Sequence, residues 1–141
     1  MSHKSANIAA LIAGCQGREL DAHYLGFFAC FNQGLFYEAH DVLEELWLRC
    51  RGGPDAAFYQ GLIQLAGAFV HLQKDRLGPA AALFDLAARK LEGYAPVYYR
   101  LSLAEVRGLI ARWRGELRAS PGGGNPWRRL PPPVLALAAA A

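Results

Sequence analysis

His40 and Glu44 stand four residues apart within Phe31 to Trp47, a segment reading FNQGLFYEAHDVLEELW. On a helix, side chains at that spacing lie one above the other, so an imidazole and a carboxylate there can hydrogen-bond or share a ligand. Two chemistries follow. As metal ligands the pair needs a third side chain, because catalytic zinc takes three protein ligands and keeps one position open; His71, or Gln64 near it, is the candidate. Without a metal, a Glu44 carboxyl raised in pKa would serve as general base with His40 as its partner. The segment has neither HExxH nor the Glu-x-x-His spacing of di-iron bundles. Ser2, Ser5, Ser102 and Ser120 all lie outside it, and nothing in the sequence before Cys50 suggests an activated thiolate. The structural alternative is a core imidazole, neutral and bonded to Glu44 or to a Gln on the following helix. An unpartnered buried polar group costs on the order of 1–3 kcal/mol, so polar company is expected either way.

Positioning these groups requires helices. At about 100° per residue, Phe36, Ala39, Leu43, Leu46 and Trp47 fall on one face, with His40 inside the apolar arc and Glu44 on its shoulder. Glu38, Asp41 and Glu45 fall opposite, as a solvated face. This helix starts near Leu35 and stops before Gly52-Gly53, with Pro54 placed to open the next. From Pro54 to about Asp75, FYQGLIQLAGAFVHLQ is apolar almost all round, the mark of a helix buried within a bundle. Its polar residues form one stripe: Gln60, Gln64, Gly67 and His71, with Asp75 beyond. The short Arg51–Pro54 connection favours an antiparallel pair, which can turn that stripe toward His40 and Glu44.

The remaining elements frame this pair. A first amphipathic helix is expected over about Glu19–Gln33, closed by Gly34 in the left-handed conformation, and a fraying helix precedes it. Gly78-Pro79 opens a helix with Ala80, Leu83, Phe84, Ala87 and Leu91 inward, and Tyr94–Leu101 reads as irregular, broken by Pro96 and tied down by aromatics. Ser102-Leu103-Ala104-Glu105 matches a capping box and starts a last helix to about Arg118. The fold class is therefore all-α, a single-domain helical bundle of about five main helices with short loops over 1–118. Residues 119–141, rich in Pro and Gly and then in Ala, read as a mobile or loosely docked tail.

Composition narrows the function classes. At 141 residues, 53% hydrophobic and 19% charged, the chain suits one folded domain. No apolar run approaches the roughly 20 residues of a membrane span, and a cytoplasmic, membrane-free protein is expected. Three cysteines, Cys15, Cys30 and Cys50, lack CxxC spacing and imply neither a disulfide framework nor a zinc knuckle. The net charge of +3 is uneven, with seven Arg from Val97 onward against Glu105 and Glu116. Arg107, Arg114 and Arg118 share a helix face, and Arg128-Arg129 adjoin Trp127, so a nucleic-acid-binding accessory domain is an alternative. A solubilising surface is the simpler reading of those charges.

The segment FNQGLFYEAHDVLEELW, followed after a Gly-containing turn by FYQGLIQLAGAFVHL, resembles the small helical proteins grouped as domain of unknown function family 309. The resemblance spans roughly residues 27 to 72 and implies an all-α bundle with the two motifs on adjacent helices. Carried onto this chain, the motif positions are Glu38, His40, Glu44, Trp47, Tyr59, Gln60 and Gln64. Asp41 departs from the Glu expected there, keeping the charge on a shorter arm. The family brings no established activity. The leading expectation is a binding or interaction protein, for a small ligand or a protein partner, with a polar site between helices 35–50 and 54–75. A metal-assisted, hydrolase-like activity using His40 and Glu44, with a divalent ion completed by His71, is the enzyme alternative.

Overall fold

Helix α4 (Ala56–Gln73) buries most of its surface, leaving a half-buried stripe at Gln60, Gln64, Gly67 and His71, and the other elements are arranged to cover the rest. The computed structural model describes residues 3–119 and 124–139. In chain order these form α1 (His3–Leu11), a short 3-10 turn (Ala13–Cys15), α2 (Ala22–Phe31), α3 (Phe36–Cys50), α4, α5 (Leu77–Leu91), a hairpin of β1 (Val97–Tyr98) and β2 (Leu101–Ser102), α6 (Leu103–Ala119) and a second 3-10 turn (Pro126–Arg128). The fold is an all-helical bundle, and no described helix is long and apolar enough to cross a membrane.

Phe58, Leu62, Leu65, Phe69 and Leu72 of α4 are fully buried. Phe69 is their centre: its ring stacks on Phe36 of α3 at 5.0 Å and meets Phe84 of α5 and Trp113 of α6 edge-on. Glycine sets the α4–α5 spacing, since a Cβ on Gly61 would stand 2.9 Å from Leu91 Cγ, inside contact distance. Helix α3 buries Phe36, Ala39, Leu43 and Leu46 against this core, as its spacing requires. It also buries Val42, on a second side, under Ile8 and Ile12 from the N-terminal segment. The helix expected at the N-terminus is α1, and with the Ala13–Cys15 turn it packs on α3 through Ile8 and Ile12.

Local signals explain most element ends. Asp21 caps α2 by accepting from the His23 N–H at 2.8 Å, Gly34 closes the following turn at φ +76°, and Ser102 Oγ accepts from the Glu105 N–H at 3.2 Å as half of the capping box. Pro54 lies just before α4, which starts two residues later, at Ala56.

The stretch after Gly93, expected to be irregular, contains an antiparallel hairpin pairing Val97 with Ser102 and Tyr98 with Leu101. Its two turn residues, Tyr99 and Arg100, both have positive φ, 44° and 63°. Such a turn ordinarily selects Asn-Gly, and each bulky residue there costs on the order of 1–3 kcal/mol. Tyrosines offset that cost. The Tyr98 and Tyr99 hydroxyls donate to the two Asp55 carboxylate oxygens at 2.5 and 2.6 Å, and Tyr24 OH donates to the Tyr99 carbonyl. Tyr94 OH donates to the Pro54 carbonyl and accepts from the Phe58 N–H. The bond to Asp55, with burial second, pushes the Tyr98 phenol up to about 12.

Of the two expectations for the tail, mobile or loosely docked, its described residues 124–139 show a docked segment. Asn125, 4% exposed, donates to the Leu72 carbonyl at 2.5 Å and to Asp75, and accepts from the Trp127 N–H. It therefore satisfies the C-terminal end of α4 while placing Trp127 against Phe36, Phe69 and Trp113. Farther on, the Asn32 amide pairs with both backbone groups of Leu135 at 2.8 Å, and the Ala138 N–H donates to the Arg100 carbonyl. Two side-chain amides thus replace the helix the tail does not form. Ser2, Ser120 and the glycines at 122 and 123 lie outside the described residues.

Replacing Gly61 with Ala forces Leu91 away from α4, and overpacking of this kind costs about 1–3 kcal/mol; thermal unfolding of Gly61→Ala should show a melting temperature lower by several degrees. Asn125→Ala leaves the Leu72 carbonyl buried and unpaired. Hydrogen exchange at the Leu135 and Ala138 amides should then quicken, and unchanged exchange at both would mean that Asn125 does not hold the tail in place.

Candidate functional site

Helices α3 and α4, with α5 beside them, flank an open pocket of ≈ 290 Å³ lined by Tyr37, His40, Ile63, Gln64, Gly67, Val70, His71, Lys74 and Leu83. The antiparallel pairing expected from the short loop has turned the Gln64-Gly67-His71 part of the α4 stripe toward His40. Gly67 matters at the α5 side, since a Cβ there would lie 3.2 Å from Leu83 Cδ1. Leu83 is half-buried, whereas Ala80, Phe84, Ala87 and Leu91 of the same helix are fully covered, because it faces this opening.

Around His40 the carboxylates are arranged differently from the sequence expectation. Its Nδ1 lies 3.1 Å from Asp41 Oδ1, within hydrogen-bonding distance, while its Nε2 lies 3.9 Å from Glu44 Oε2, beyond it. Asp41 is also the better covered of the two acids, with 17% of its side chain exposed against 30% for Glu44. The reason is α1. Val42 is buried beneath that helix, so its neighbour Asp41 sits under the edge of α1, where Lys4 Nζ bonds Glu44 at 2.8 Å and reaches Asp41 at 3.5 Å. Asp41 is accordingly no bystander on a solvated face. Nor is Glu45, which lies 2.9 Å from His23 Nε2.

Two buried polar atoms on the cavity lining have no hydrogen-bond partner, Gln64 Oε1 and His71 Nδ1. Burial holds the His71 imidazole below its ordinary pKa, and the nearby positive charges of Arg76 and Lys74 add to this. Lys74 places its ammonium 5.9 Å from the Tyr37 ring centre, and Tyr37 stacks on His40 with ring centres 6.4 Å apart. Among the described residues no carboxylate forms a salt bridge with Lys74.

The other expected residues lie elsewhere. Tyr59 is buried in the aromatic cluster around the hairpin, stacked on Tyr99. Trp47 packs on the edge of the core beneath the Arg51 guanidinium. Gln60 is half-buried and, with Glu38, Glu44, Trp47 and Tyr59, does not line the cavity. Among the described residues, no three His, Cys, Asp or Glu side chains are placed to hold one metal ion, so His40, Glu44 and His71 are not gathered into a ligand set. On the basic helix, Arg114 forms a two-pronged pair with Asp85 at 2.9 and 3.1 Å, and Arg107 donates to the Leu91 carbonyl. Those two arginines hold α6 to α5. Sequence reasoning missed Tyr37, Lys74 and Leu83; the first two follow from extending the His40 and His71 faces by three residues, whereas Leu83 required knowing how α5 crosses.

The lowered His71 pKa has a definite sign in stability. The unfolded chain takes up this proton near the ordinary value of about 6.5, before the folded chain does. The contribution of His71 is thus complete above that pH and is lost as pH falls through it toward the folded value. Urea midpoints measured at pH 7.5 and pH 5 should differ less in His71→Gln than in the parent. An equal difference in both proteins would contradict the assignment.

No curated protein and no solved structure matches the chain. The family model described as a domain of unknown function (DUF309) matches residues 24–83. That span begins in α2, runs through α3 and α4, and ends at Leu83, so it contains every residue lining the cavity. Helix α1, the hairpin, α6 and the tail lie outside it. Over this segment, less than half of the chain, the protein is similar to the DUF309 family.

Proposed function

We propose that this protein is a small-ligand-binding domain whose site is the cavity between α3 and α4. The observation that carries the reading is the pair of partnerless polar atoms, Gln64 Oε1 and His71 Nδ1, on the lining of an otherwise mostly apolar space. A polar group left unpaired in the interior costs on the order of 1–3 kcal/mol, and a helix as apolar as α4 has no need of either residue to fold. Retained polar groups converging on a preformed concavity are the usual signature of a binding site. The volume stands at the small end of the range for such sites, about 300 Å³ and upward, which fits a small metabolite-sized molecule.

The test separates a binding role from a structural one. Gln64→Leu keeps the approximate volume and removes the unpaired amide, so it should raise stability by roughly 1 kcal/mol in denaturant unfolding. The same substitution should weaken binding of benzamide, followed through the ring resonances of Tyr37 and His71. A loss of stability in Gln64→Leu would instead make Gln64 a structural hydrogen-bonding residue and overturn the reading.

A further inference from the structure

From the distribution of charge around this cavity we infer the class of its ligand: a small apolar monocarboxylate, with its acid group toward Lys74 and His71 and its hydrocarbon body over Ile63, Val70 and Leu83. The inference rests on the binding reading above and adds a chemical class to it.

Among the described residues lining the cavity, Lys74 is the one lysine or arginine, and none is acidic. The carboxylates nearest to His40, Asp41 and Glu44, are outside the lining and are engaged by Lys4. The cavity is therefore polarised along α4. At one end His40 is backed by Asp41; at the other, Lys74 has no carboxylate partner among the described residues, and Arg76 adds its field at His71. A neutral imidazole still has one N–H to donate, and a nearby ammonium supplies charge, which together suit one carboxylate group. A cationic ligand would meet Lys74 directly. A neutral one would leave the ammonium without use.

The body of the ligand follows from the rest of the wall. Ile63, Val70 and Leu83, with the flat face of Tyr37, offer apolar contact, and Gly67 lets Leu83 of α5 lie close against α4. A single short hydrocarbon or aromatic group fits ≈ 290 Å³, which leaves little room for a nucleotide or a sugar phosphate.

Three matched probes test this on the full chain: hydrocinnamate, its neutral amide and the corresponding primary amine, titrated at pH 7 and followed by the Tyr37 and His71 ring resonances. Hydrocinnamate should bind about tenfold or more tightly than the amide, as a charge-assisted hydrogen bond implies, and the amine should be weakest. Lys74 is exposed, so Lys74→Gln should fold normally and reduce the preference for acid over amide to near unity, while Lys74→Arg should retain it. Equal binding of acid and amide to the parent overturns the ligand class and leaves the binding site standing. If none of the probes moves either ring, the carboxylate class falls, and the stability of Gln64→Leu decides separately whether the cavity is a site at all.

Discussion

The constraint on which this structure depends is the burial of α4 on all but one stripe. A helix that leaves only the Gln60, Gln64, Gly67 and His71 stripe half-buried must find a partner for each of its other surfaces, and its neighbours divide that task. Helix α3 covers one side through Phe36, Ala39, Leu43 and Leu46, α5 another through the close approach at Gly61, and Trp113 and Trp127 close the end around Phe69. The helix ends are covered too. Asp55, before its first turn, takes two tyrosine hydroxyls from the hairpin, and Leu72, in its last, takes the Asn125 amide from the tail. Both devices lie far along the chain from the element they serve.

That distance explains what could be read from the sequence. The apolar period of α3, the near-continuous apolarity of α4 and the turn glycines are local signals, and they led to the all-helical bundle and its main elements. The antiparallel α3–α4 pair was also legible, because its loop is short, and with it the meeting of His40, Gln64 and His71. How the tail docks was not legible. Gly- and Pro-rich composition reports an inability to form helix, and gives no hint that Asn32 would imitate a peptide group for Leu135 or that Asn125 would cap a helix some fifty residues away. The hairpin failed for a related reason, since tyrosine at a positive-φ turn position contradicts the ordinary turn preference and is stable only because Asp55 is there to receive its hydroxyl.

The misassigned acids teach the same lesson at the scale of one helix. A helical wheel with a single apolar face sends Asp41 and Glu45 to solvent. In fact α3 has two buried sides, the second supplied by Ile8 and Ile12. Once Val42 is covered, Asp41 beside it cannot be a free surface carboxylate, and it becomes the group nearest to His40 Nδ1. The i, i+4 rule correctly brought Glu44 near the same imidazole, but at 3.9 Å the pair is looser than the contact to the adjacent residue.

This arrangement gives α1 a role beyond packing. Two acids one turn apart on α3 would spread negative potential toward the cavity and oppose an anion there, because a carboxylate field in a partly buried setting is only weakly screened. Lys4 engages both, so one of the two negative charges is offset at its source, which lessens the opposition to the positive end at Lys74. Helix α1 lies outside the segment that matches the family, while every lining residue lies inside it. The family-matched helices thus supply the walls of the cavity, and an added helix adjusts the field within it. The same four groups, Lys4, His40, Asp41 and Glu44, join the second small core to the edge of the site, so stability at the N-terminal helix and electrostatics in the cavity are coupled through one lysine.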